Sequence, residues 1–352
     1  MTLGVTPRSS ETAPVDDDEL EERLSRPTPQ VLESLSHSPG DIIVLGAGGK
    51  MGPSLTAMAK RAVDSLGDGR HVYAVSRWSS PAERERLRLM GIQVLTGDLA
   101  DRSSLAALPP APNVIFMAGQ KFGTQDAPHA TWMTNTIVPY LVAERYRASR
   151  LVVFSTGNVY GLSSVDAHSA SREEDALAPV GEYAASCVGR ERVFEHAALA
   201  WGTLVSIVRL NYSVDLRYGV LVDLAQKVMR GDAIDLGMGY VNCIWQGDAN
   251  AVALSLLPLA QSPPVVVNVT GAERLSVREV ALEMGRHLGR EPHFSGQEAS
   301  DALLSDTTKM QALFGPPVTG AFTLAHWVAQ WLQRGGRTIG KATRFERRDG
   351  AF

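Results

Sequence analysis

A short apolar run that ends in closely spaced glycines constrains the fold of this chain more than any other segment. The run, Ile42 to Leu45, is long enough for a buried strand and too short for a helix. After the glycines, Pro53 opens a stretch whose apolar residues recur with helical spacing. The turn itself consists of Gly46, Ala47, Gly48, Gly49, Lys50, Met51 and Gly52. A strand, a glycine-rich turn and a helix in this order indicate a dinucleotide-binding site.

Three of these glycines have separate physical roles. Gly46 lets the chain turn away from the strand, Gly49 lets the backbone approach a pyrophosphate, and Gly52 lets the helix pack close to the sheet. The N–H groups and the dipole at the helix start then face the anion. A glycine-rich turn without a ligand is the alternative, which the flanking strand and helix disfavour. The residues predicted to contact the dinucleotide here are Gly46, Gly48, Gly49, Lys50, Met51 and Gly52.

Strand and helix patterns alternate from Asp41 onward, which predicts a doubly wound parallel sheet covered by helices on both faces. The predicted strands cover residues 41–46, 71–76, 92–95, 113–117, 151–155 and 204–209. The predicted helices cover residues 52–66, 80–90, 128–148 and 182–200. With 352 residues, the chain is long enough for an α/β Rossmann-type domain and a smaller C-terminal substrate-binding lobe.

We expect the chain to consist of four parts. The polar N-terminal extension is expected to be disordered over its first dozen residues and to form one or two short helices between Leu20 and Leu35. The parts are an extension (1–38), an NAD(P)-binding domain (39–210 and 240–260), a substrate-binding lobe (211–239 and 261–340) and a C-terminal tail (341–352). The tail is read as an ordered or frayed extension.

The bulk properties exclude several classes of protein. A net charge of −4 argues against a nucleic-acid binder. No apolar run approaches the length of a membrane span, and the N-terminus has no basic-then-apolar signal pattern. Two cysteines, Cys187 and Cys243, give no disulfide framework and cannot form a metal cluster alone. We therefore expect a cytoplasmic protein without a metal, a nucleic-acid partner or a membrane partner.

The ends of the second and third predicted strands bear on the choice of cofactor. Ser76 and Arg77 stand where an NAD-binding unit usually carries Asp or Glu, whose carboxylate accepts the ribose 2′-hydroxyl. An arginine suits a 2′-phosphate instead, so NADP is favoured over NAD. The alternative is that Arg77 is only a solvated loop residue. After the third strand, Asp98 and Leu99 are predicted to lie near the adenine.

The loop after the fourth predicted strand is expected to line the cofactor crevice, because ligands bind outside the carboxyl ends of such strands. Ala118 and Gly119 are predicted cofactor contacts, and Gln120 is a predicted substrate contact. Lys121 is either a surface lysine or a cation that points at the nicotinamide end. Asn135, on the following helix, is either an ordinary polar residue or holds a water or a backbone group behind the active site.

Two further segments carry a resemblance to a known family. Phe154 to Gly161 reads FSTGNVYG, and Gly181 to Glu191 reads GEYAASCVGRE. From about residue 41 to about residue 335 the chain resembles the extended short-chain dehydrogenase/reductase family. This is the NAD(P)-dependent epimerase/dehydratase group, which acts mainly on sugars and sugar nucleotides. The individual motifs are moderately specific, and their order and spacing together are strong.

The resemblance implies roles for individual residues. Thr156 falls at the catalytic hydroxyl position of the family, and Tyr183 matches its catalytic tyrosine, which also contacts the cofactor. Asn135 matches the family's asparagine in the helix after the fourth strand and is counted with the cofactor site. Asp98 falls on the acid that contacts adenine, and Asp248 falls on the last acid of a later segment.

The substrate contacts rest on weaker matches. Asn211 resembles an R-x-x-N step of the family, with one residue fewer between the arginine and the asparagine. Arg217 contacts a substrate anion or forms a salt bridge with a nearby aspartate, and Trp245 faces the crevice or simply packs. The predicted contacts are Gln120, Lys121, Asn158, Asn211, Arg217 and Trp245. The implied partners are a sugar-like small molecule and a second copy of the chain, packed through the helices around 128–148 and 182–200.

The chain departs from the family pattern Y-x-x-x-K, because Cys187 stands where the lysine is expected. A lysine one turn from Tyr183 would depress the pKa of the phenol and hold the ribose hydroxyls. A neutral thiol does neither. With a pKa near 10 a phenol is only ~0.1% ionised at pH 7, so the loss costs up to about three orders of magnitude in base catalysis.

Three outcomes are open. Another cation, Lys121 or Arg190, substitutes for the lysine; the chemistry needs no strong phenolate; or the protein binds nucleotide without turnover. The leading hypothesis is an NADP-dependent oxidoreductase, epimerase or dehydratase that acts on a hydroxyl or keto group of a sugar-like substrate. Its catalytic residues would be Thr156, Tyr183 and Lys121. The alternative is a catalytically impaired regulatory protein that binds NADP and kept the fold.

Overall fold

Seven parallel strands form the central sheet of the protein. The computed structural model describes residues 12–166 and 169–352. The strands are β1 (Ile42–Leu45), β2 (Val72–Ser76), β3 (Gln93–Thr96), β4 (Asn113–Phe116), β5 (Arg150–Thr156), β6 (Leu204–Leu210) and β7 (Val265–Val269). Their order across the sheet is β7-β6-β5-β4-β1-β2-β3, and every neighbouring pair is parallel. The predicted fold class is therefore confirmed.

The sequence of β1 explains its place in the middle of the sheet. All four of its residues are buried. Successive side chains of a strand point to opposite faces. Ile42 and Val44 therefore pack on one face with Leu55, whereas Ile43 and Leu45 pack on the other face with residues such as Phe116. A strand that is apolar on both sides fits a sheet covered twice by helices.

Helices cover both faces of the sheet and build the lobe. In the described part of the chain they are α1 (Asp17–Leu24), α2 (Pro29–Ser36), α3 (Gly52–Leu66), α4 (Pro81–Leu89), α5 (Arg102–Ala107), α6 (Pro128–Trp132), α7 (Val138–Arg145), α8 (Gly181–Trp201), α9 (Val220–Arg230), α10 (Gln246–Ser255), α11 (Val277–Leu288), α12 (Thr308–Phe314) and α13 (Ala321–Gln333). Ser80 caps α4 by accepting a hydrogen bond from Glu83 N at 3.2 Å. Ser276 caps α11 in the same way through Glu279 N at 3.2 Å.

The helix predicted over residues 128–148 is interrupted. It consists of α6, a π-helical turn at Met133–Ile137, and α7, which ends at Arg145. A π turn adds one residue to a helical turn and often lies at a functional site. Here it carries Asn135, whose side chain is completely buried.

The smaller lobe is organised around α9, α11 and α13, which pack on one another around a second apolar core. Short strand pairs complete it: Ala233–Asp235 with His293–Ser295, Tyr240–Val241 with Leu275–Ser276, Ser213–Val214 with Ile244–Trp245, and Ser163–Ser164 with Asp301–Ala302. Within residues 240–260, the helix α10 packs on α2 and α3.

The predicted boundary of the lobe is wrong in one respect. Residues 261–340 were assigned to the lobe, but β7 lies within this range and pairs with β6 in the main sheet. The helix α12 also packs on β7, and its Met310 is buried in the core of that domain. The run Val265 to Val269 identifies a strand by itself, but its sequence does not show which sheet it joins.

The N-terminal extension forms two helices, as predicted for Leu20 to Leu35. Leu20 of α1 is buried in the core of the lobe, and Val31 of α2 is buried in the core of the sheet domain. The disorder expected for the first dozen residues falls mainly on residues 1–11, which lie outside the described part of the chain.

Three further observations on the described residues concern membrane helices, metal ligands and cysteines. None of their helices is long and apolar enough to cross a membrane. They include no group of three or more His, Cys, Asp or Glu side chains able to hold a metal ion. Cys187 and Cys243 are both buried and free of disulfide bonds.

Candidate active site

A crevice with a volume of about 410 Å³ opens where the strands of the main sheet end. The glycine turn after β1 and the segment before α9 face each other across it, because Lys50 Nζ lies 3.2 Å from the centre of the Tyr218 ring. Twelve predicted site residues line it: Gly46, Gly49, Lys50, Met51, Gly52, Gly119, Gln120, Lys121, Thr156, Asn158, Tyr183 and Asn211.

The remaining predicted site residues do not line this cavity. They are Gly48, Ser76, Arg77, Asp98, Leu99, Ala118, Asn135, Arg217 and Trp245. Ser76 ends β2 and Asp98 follows β3, so this pair lies at the same sheet edge beyond the glycine turn, where the adenosine half of a dinucleotide was predicted. Arg77 and Asp98 are exposed there.

The glycine turn is shaped by close approaches that a side chain would prevent. Gly46 has φ +94°, and a Cβ at this position would lie 2.6 Å from the backbone nitrogen of Ala118. A Cβ on Gly52 would collide with the carbonyl of Ala47. Met51 precedes α3 without any side-chain cap, so the first N–H groups of this helix keep their capacity to bind an anion.

A tryptophan that the sequence analysis did not consider flanks this turn. Trp78 follows β2, adopts φ +53° and donates from Nε1 to Leu95 O at 2.8 Å. Its ring and the hydroxyl of Ser76 fill the space that a Cβ on Gly48 would enter. Gly48 is therefore required for packing beside the turn, whereas Gly49 has only Gly46 O near its Cβ position, at 3.4 Å.

Asn135 fixes the loop that follows β4. Its Oδ1 accepts from Gln120 N at 2.8 Å, and its Nδ2 donates to Gln120 O at 2.9 Å. Nδ2 also donates to Ser186 Oγ of α8 at 3.0 Å. Of the two interpretations of Asn135, the structure supports the one in which it holds a backbone group behind the site. It thereby sets the direction of the next residue, Lys121.

Thr156 and Tyr183 meet at the inner end of the crevice. Thr156 Oγ1 accepts from Asn158 N at 3.2 Å and from Asn158 Nδ2 at 2.9 Å. A hydroxyl has two acceptor positions and one donor, so its hydrogen remains available. A hydrogen-bonding interaction between Thr156 and the phenol of Tyr183 lowers the pKa of Tyr183. Asn158 thus orients the hydroxyl of Thr156, which in turn lowers the pKa of Tyr183.

The environment of Tyr183 keeps its phenol neutral. Burial raises its pKa above the ordinary value, and the neighbouring Cys187 raises it further. Thr156 and the guanidinium of Arg190 act in the opposite direction. Burial also raises the pKa of the Cys187 thiol, so this residue contributes no thiolate at neutral pH.

A family model described as the NAD dependent epimerase/dehydratase family matches residues 42–213. This part of the chain belongs to that family. The match begins with β1 and ends after β6, so it includes the glycine turn and both hydroxyls of the site. The family is the extended short-chain dehydrogenase/reductase group that the sequence motifs predicted.

Solved structures with this fold include epimerases of nucleotide sugars. A UDP-galactose 4-epimerase is 23% identical with a TM-score of 0.66, over 84% of this chain and 99% of that one. The UDP-glucose 4-epimerase of Thermotoga maritima, solved with UDP-glucose, is 17% identical with a TM-score of 0.68 over the same shares. The Thermus thermophilus UDP-glucose 4-epimerase complex with NAD is 18% identical, with a TM-score of 0.67 over 83% and 99%. These likenesses concern the fold alone. A comparison with curated proteins gave no match.

Where the family has the lysine of Y-x-x-x-K, the structure places two other cations near Tyr183. Lys121 Nζ lies 5.7 Å from the centre of the Tyr183 ring. Burial lowers the pKa of Lys121 to about 8, although the charge of Asp223 opposes the shift. At neutral pH most of this amine is therefore still charged.

Arg190 is the second cation, and its hydrogen bonds tie it to the framework. Nη1 donates to Phe154 O at 2.7 Å, and Nη2 donates to Asn135 Oδ1 at 2.9 Å. A Cβ on Gly119 would lie 2.7 Å from Nη2, so this glycine makes room for the guanidinium. Arg190 acts on Tyr183 through its charge, whereas Lys121 forms no hydrogen bond with any residue that the structure describes.

Two residues predicted to contact substrate have other partners. Arg217 forms ion pairs with Asp215 and with Glu21 of α1, both at 2.6 Å. This is the salt bridge that the sequence analysis gave as its alternative. The ring of Trp245 packs edge-on against Trp327 in the lobe, with centres 5.8 Å apart. Its neighbour Gln246 lines the crevice instead.

The C-terminal tail reaches the site, which no sequence motif indicated. Thr343 lines the crevice, and Phe345 is buried in the core of the lobe. Phe352 packs edge-on against Tyr183 with ring centres 5.7 Å apart. Its carbonyl accepts from Gly123 N at 3.1 Å, in the loop that carries Lys121. The tail thus runs from the lobe to the nucleotide-binding domain.

A buried charge network behind β5 was also missed. Arg209 Nη2 pairs with Glu191 at 2.8 Å, and its Nη1 donates to Tyr160 Oη at 2.6 Å. Glu191 accepts in turn from Ser155 Oγ at 2.5 Å. The network fixes α8 to β5 directly beside Thr156. The only feature of the sequence that indicates this network is the position of Glu191 in α8, two turns after Tyr183.

Proposed function

We propose that the protein is an NAD(P)-dependent epimerase, dehydratase or oxidoreductase that acts on a hydroxyl or keto group of a sugar-nucleotide-like substrate. The observation that carries the proposal is the position of Thr156 and Tyr183. Both side chains line the same crevice as the glycine turn. The nucleotide-sugar epimerases among the solved structures with this fold support the choice of substrate class.

The residues present fit a nicotinamide dinucleotide. The uncapped start of α3 offers N–H groups to a pyrophosphate, and the open side of Gly49 lets the phosphate oxygens approach. A nicotinamide ring next to Tyr183 would supply hydride acceptance and return. The residues proposed to hold the cofactor are Gly46, Gly48, Gly49, Lys50, Met51, Gly52, Ser76, Arg77, Asp98, Leu99, Ala118, Gly119, Asn135 and Tyr183.

The protein's own groups would handle the proton. Tyr183 stays protonated, so it gives a proton to a substrate oxygen more readily than it removes one. Thr156 donates its remaining hydrogen to the same oxygen or to the phenol, which stabilises negative charge there. Lys121 contributes a positive charge near the phenol in place of the absent lysine. Gln120, Asn158 and Asn211 would orient the substrate from the crevice wall.

We propose NADP as the dinucleotide, on the basis of Arg77. Its guanidinium is exposed after β2, where it would meet a 2′-phosphate. The Arg77→Asp variant is expected to weaken NADP binding at least tenfold and to leave NAD binding equal or tighter, as measured by calorimetry. Arg290→Asp, an exposed change on the lobe, is the control. Equal loss of both dinucleotides, or of neither, would contradict the assignment.

A second candidate function has a specific observation in its favour. Cys187 occupies the position of the family's lysine, is buried and carries no charge. A protein that bound the dinucleotide and sensed it without turnover would tolerate this residue. Thr156 and Tyr183, which are both retained, count against such a regulator.

Tyr183→Phe separates the two candidates. We expect the enzyme to change the nicotinamide absorbance with at least one sugar nucleotide, and the variant to lose about a hundredfold or more of that rate while it still binds cofactor. Tyr73→Phe, a change on β2 away from the crevice, is the control. If no sugar or sugar nucleotide alters the redox state of the bound cofactor, the enzyme proposal fails and the regulator remains.

We also propose a homodimer through α6, the π turn and α7. Four large apolar side chains are exposed on this surface: Trp132, Met133, Ile137 and Tyr140. A cluster of this kind on a surface marks an interaction site. It adjoins α8, since Trp132 Nε1 donates to Glu182 at 2.6 Å. A second copy of the same helices would cover it.

A further inference from the structure

Lysine is scarce in this chain, yet half of its lysines meet around one ring, Phe122, that lines the crevice. The sequence contains 34 lysines and arginines, of which six are lysines. Lys50 comes from the glycine turn, Lys121 from the loop after β4, and Lys341 from the C-terminal tail. Their Nζ atoms lie 5.0, 5.9 and 3.9 Å, respectively, from the centre of the Phe122 ring. Segments from three parts of the chain thus place three amines around one aromatic side chain.

These three amines lack carboxylate partners. Among the residues that the structure describes, no ion pair involves Lys50, Lys121 or Lys341. By contrast, Lys60 pairs with Asp64, and Lys227 pairs with Glu346 at 3.2 Å. The contrast shows that acidic side chains are available to lysines elsewhere on this surface.

One acid acts on these amines through its charge but forms no ion pair with them in the described part of the chain. Asp223 of α9 acts on Lys50 and Lys121 through its charge. Its carboxylate accepts from Thr343 N at 2.7 Å and from Thr343 Oγ1 at 2.6 Å. Asp223 therefore serves as the anchor that holds the tail, and with it Lys341, beside the crevice.

The crowding of three positive charges makes it harder for Lys50 to stay protonated. The pKa of Lys50 is lowered to about 7, first by its enclosure and then by the charges of Lys341 and Lys121. An anion placed among the amines would offset this repulsion and restore the charge of Lys50. Such an arrangement suits a site that is complete only with an anionic ligand.

We propose that Lys50, Lys121 and Lys341 bind a phosphoanion of the ligand, so that the C-terminal tail supplies part of the binding site. Ammonium groups act as point charges toward phosphate oxygens. The phosphoanion is either the pyrophosphate of the dinucleotide or the diphosphate of a sugar nucleotide. The choice of these two ligands rests on the proposed function, whereas the phosphoanion itself follows from the amines.

Lys341→Met tests the proposal without endangering the fold, because Lys341 is exposed. Calorimetry would measure the affinities of NADP, of uridine 5′-diphosphate and of inorganic pyrophosphate at low and at physiological salt. We expect Lys341→Met to weaken at least one of them about tenfold and to reduce its salt dependence. Lys341→Arg should keep most of the affinity, and Lys309→Met, away from the crevice, should change nothing.

Each outcome of these measurements either supports or overturns the proposal. A loss confined to uridine diphosphate assigns the site to the substrate, and a loss confined to NADP assigns it to the cofactor; both support the proposal. Wild-type affinities of Lys341→Met for all three ligands would overturn it, as would an equal loss in Lys309→Met. If neither nucleotide binds the wild-type protein, the proposed function fails. Inorganic pyrophosphate then tests the lysines alone, and its failure to bind would overturn the inference as well.

Discussion

Tyr183 carries a phenol that loses its proton less readily than a phenol in water, because burial and the Cys187 thiol both raise its pKa. The charge of Arg190 opposes this shift only in part. A mechanism in which Tyr183 gives its proton away therefore needs less help than one in which it acts as a base. The replacement of the lysine by Cys187 therefore favours Tyr183 as a proton donor over Tyr183 as a base, and it does not abolish proton transfer.

The charge of Lys121 predicts an alkaline limit to activity. Its pKa of about 8 means that the ammonium is present below pH 8 and is lost above it. We expect kcat/KM to fall as the pH rises through this value. In Lys121→Arg the fall should move to higher pH, and Lys121→Met should lose at least tenfold at pH 7. The charged and titratable groups that face Lys121 are Tyr183, Cys187, Asp223 and Lys50. If kcat/KM of Lys121→Arg falls at the same pH as in the wild-type protein, this role of Lys121 is excluded.

The same shift predicts that Lys121 destabilises the fold. Its pKa in the folded protein lies below the value of 10.5 expected when unfolded, so the unfolded chain binds more protons between the two values. The cost is therefore full below pH 8 and disappears above about pH 10.5. We expect Lys121→Met to raise the free energy of unfolding by about 1 to 2 kcal/mol at pH 7, after allowance for solvent screening. Urea denaturation at pH 7 and at alkaline pH would measure it, with Lys309→Met as control. Equal gains at both pH values would point to packing and not to charge.

Sequence predicted which residues lie at the ends of strands, but not where their side chains point. Thr156, Tyr183 and Lys121 could be placed in one crevice because their positions follow from β4, β5 and α8. Arg217 was placed at the substrate, whereas Glu21 binds it from the N-terminal extension. No motif connects residues so far apart in the sequence, and the same holds for Lys341.

At the scale of elements, the π turn and α8 together hold the loop after β4. Asn135 provides both hydrogen bonds to the backbone of Gln120 and accepts one from Arg190. Asn135→Ala would leave buried donors and acceptors unpaired. We expect it to lower the free energy of unfolding by about 1–3 kcal/mol and to reduce kcat/KM by displacing Lys121.

Ser186→Ala is the matched control for Asn135→Ala, because it removes one hydrogen bond to Asn135 and leaves the two to Gln120 intact. Denaturation and steady-state rates would be measured on both variants. If the two lose equal amounts of activity, the loop is not held by Asn135.

Strands and helices were predicted within a few residues because buried strands and amphipathic helices have clear periods. The sequence did not predict the π turn, because one inserted residue in a helix leaves the apolar pattern almost unchanged. The sequence also did not predict that β7 joins the main sheet, because the pairing of a strand depends on the approach of distant segments.

For the whole molecule, the surface of α6, the π turn and α7 predicts a dimer. Ile137 is 47% exposed on this surface. We expect Ile137→Glu to convert a dimer into a monomer, because a carboxylate would lose its water in the interface. Analytical ultracentrifugation would measure the mass. Leu89→Glu, at an exposed apolar site on α4, should leave the dimer intact. A wild-type protein that sediments as a monomer would disprove the assembly.

The meeting of Lys50 and Lys341 also makes the path of the chain accessible to chemical cross-linking. Both amines lie within 5.0 Å of the centre of the Phe122 ring. In the sequence, however, Lys50 follows the first strand of the sheet and Lys341 comes after the last one. A short bifunctional acylating reagent would join them and produce one diagnostic pair of peptides in a mass spectrum. A molecule seated between the amines would shield them, so the yield of that pair would report occupancy without any assay of turnover.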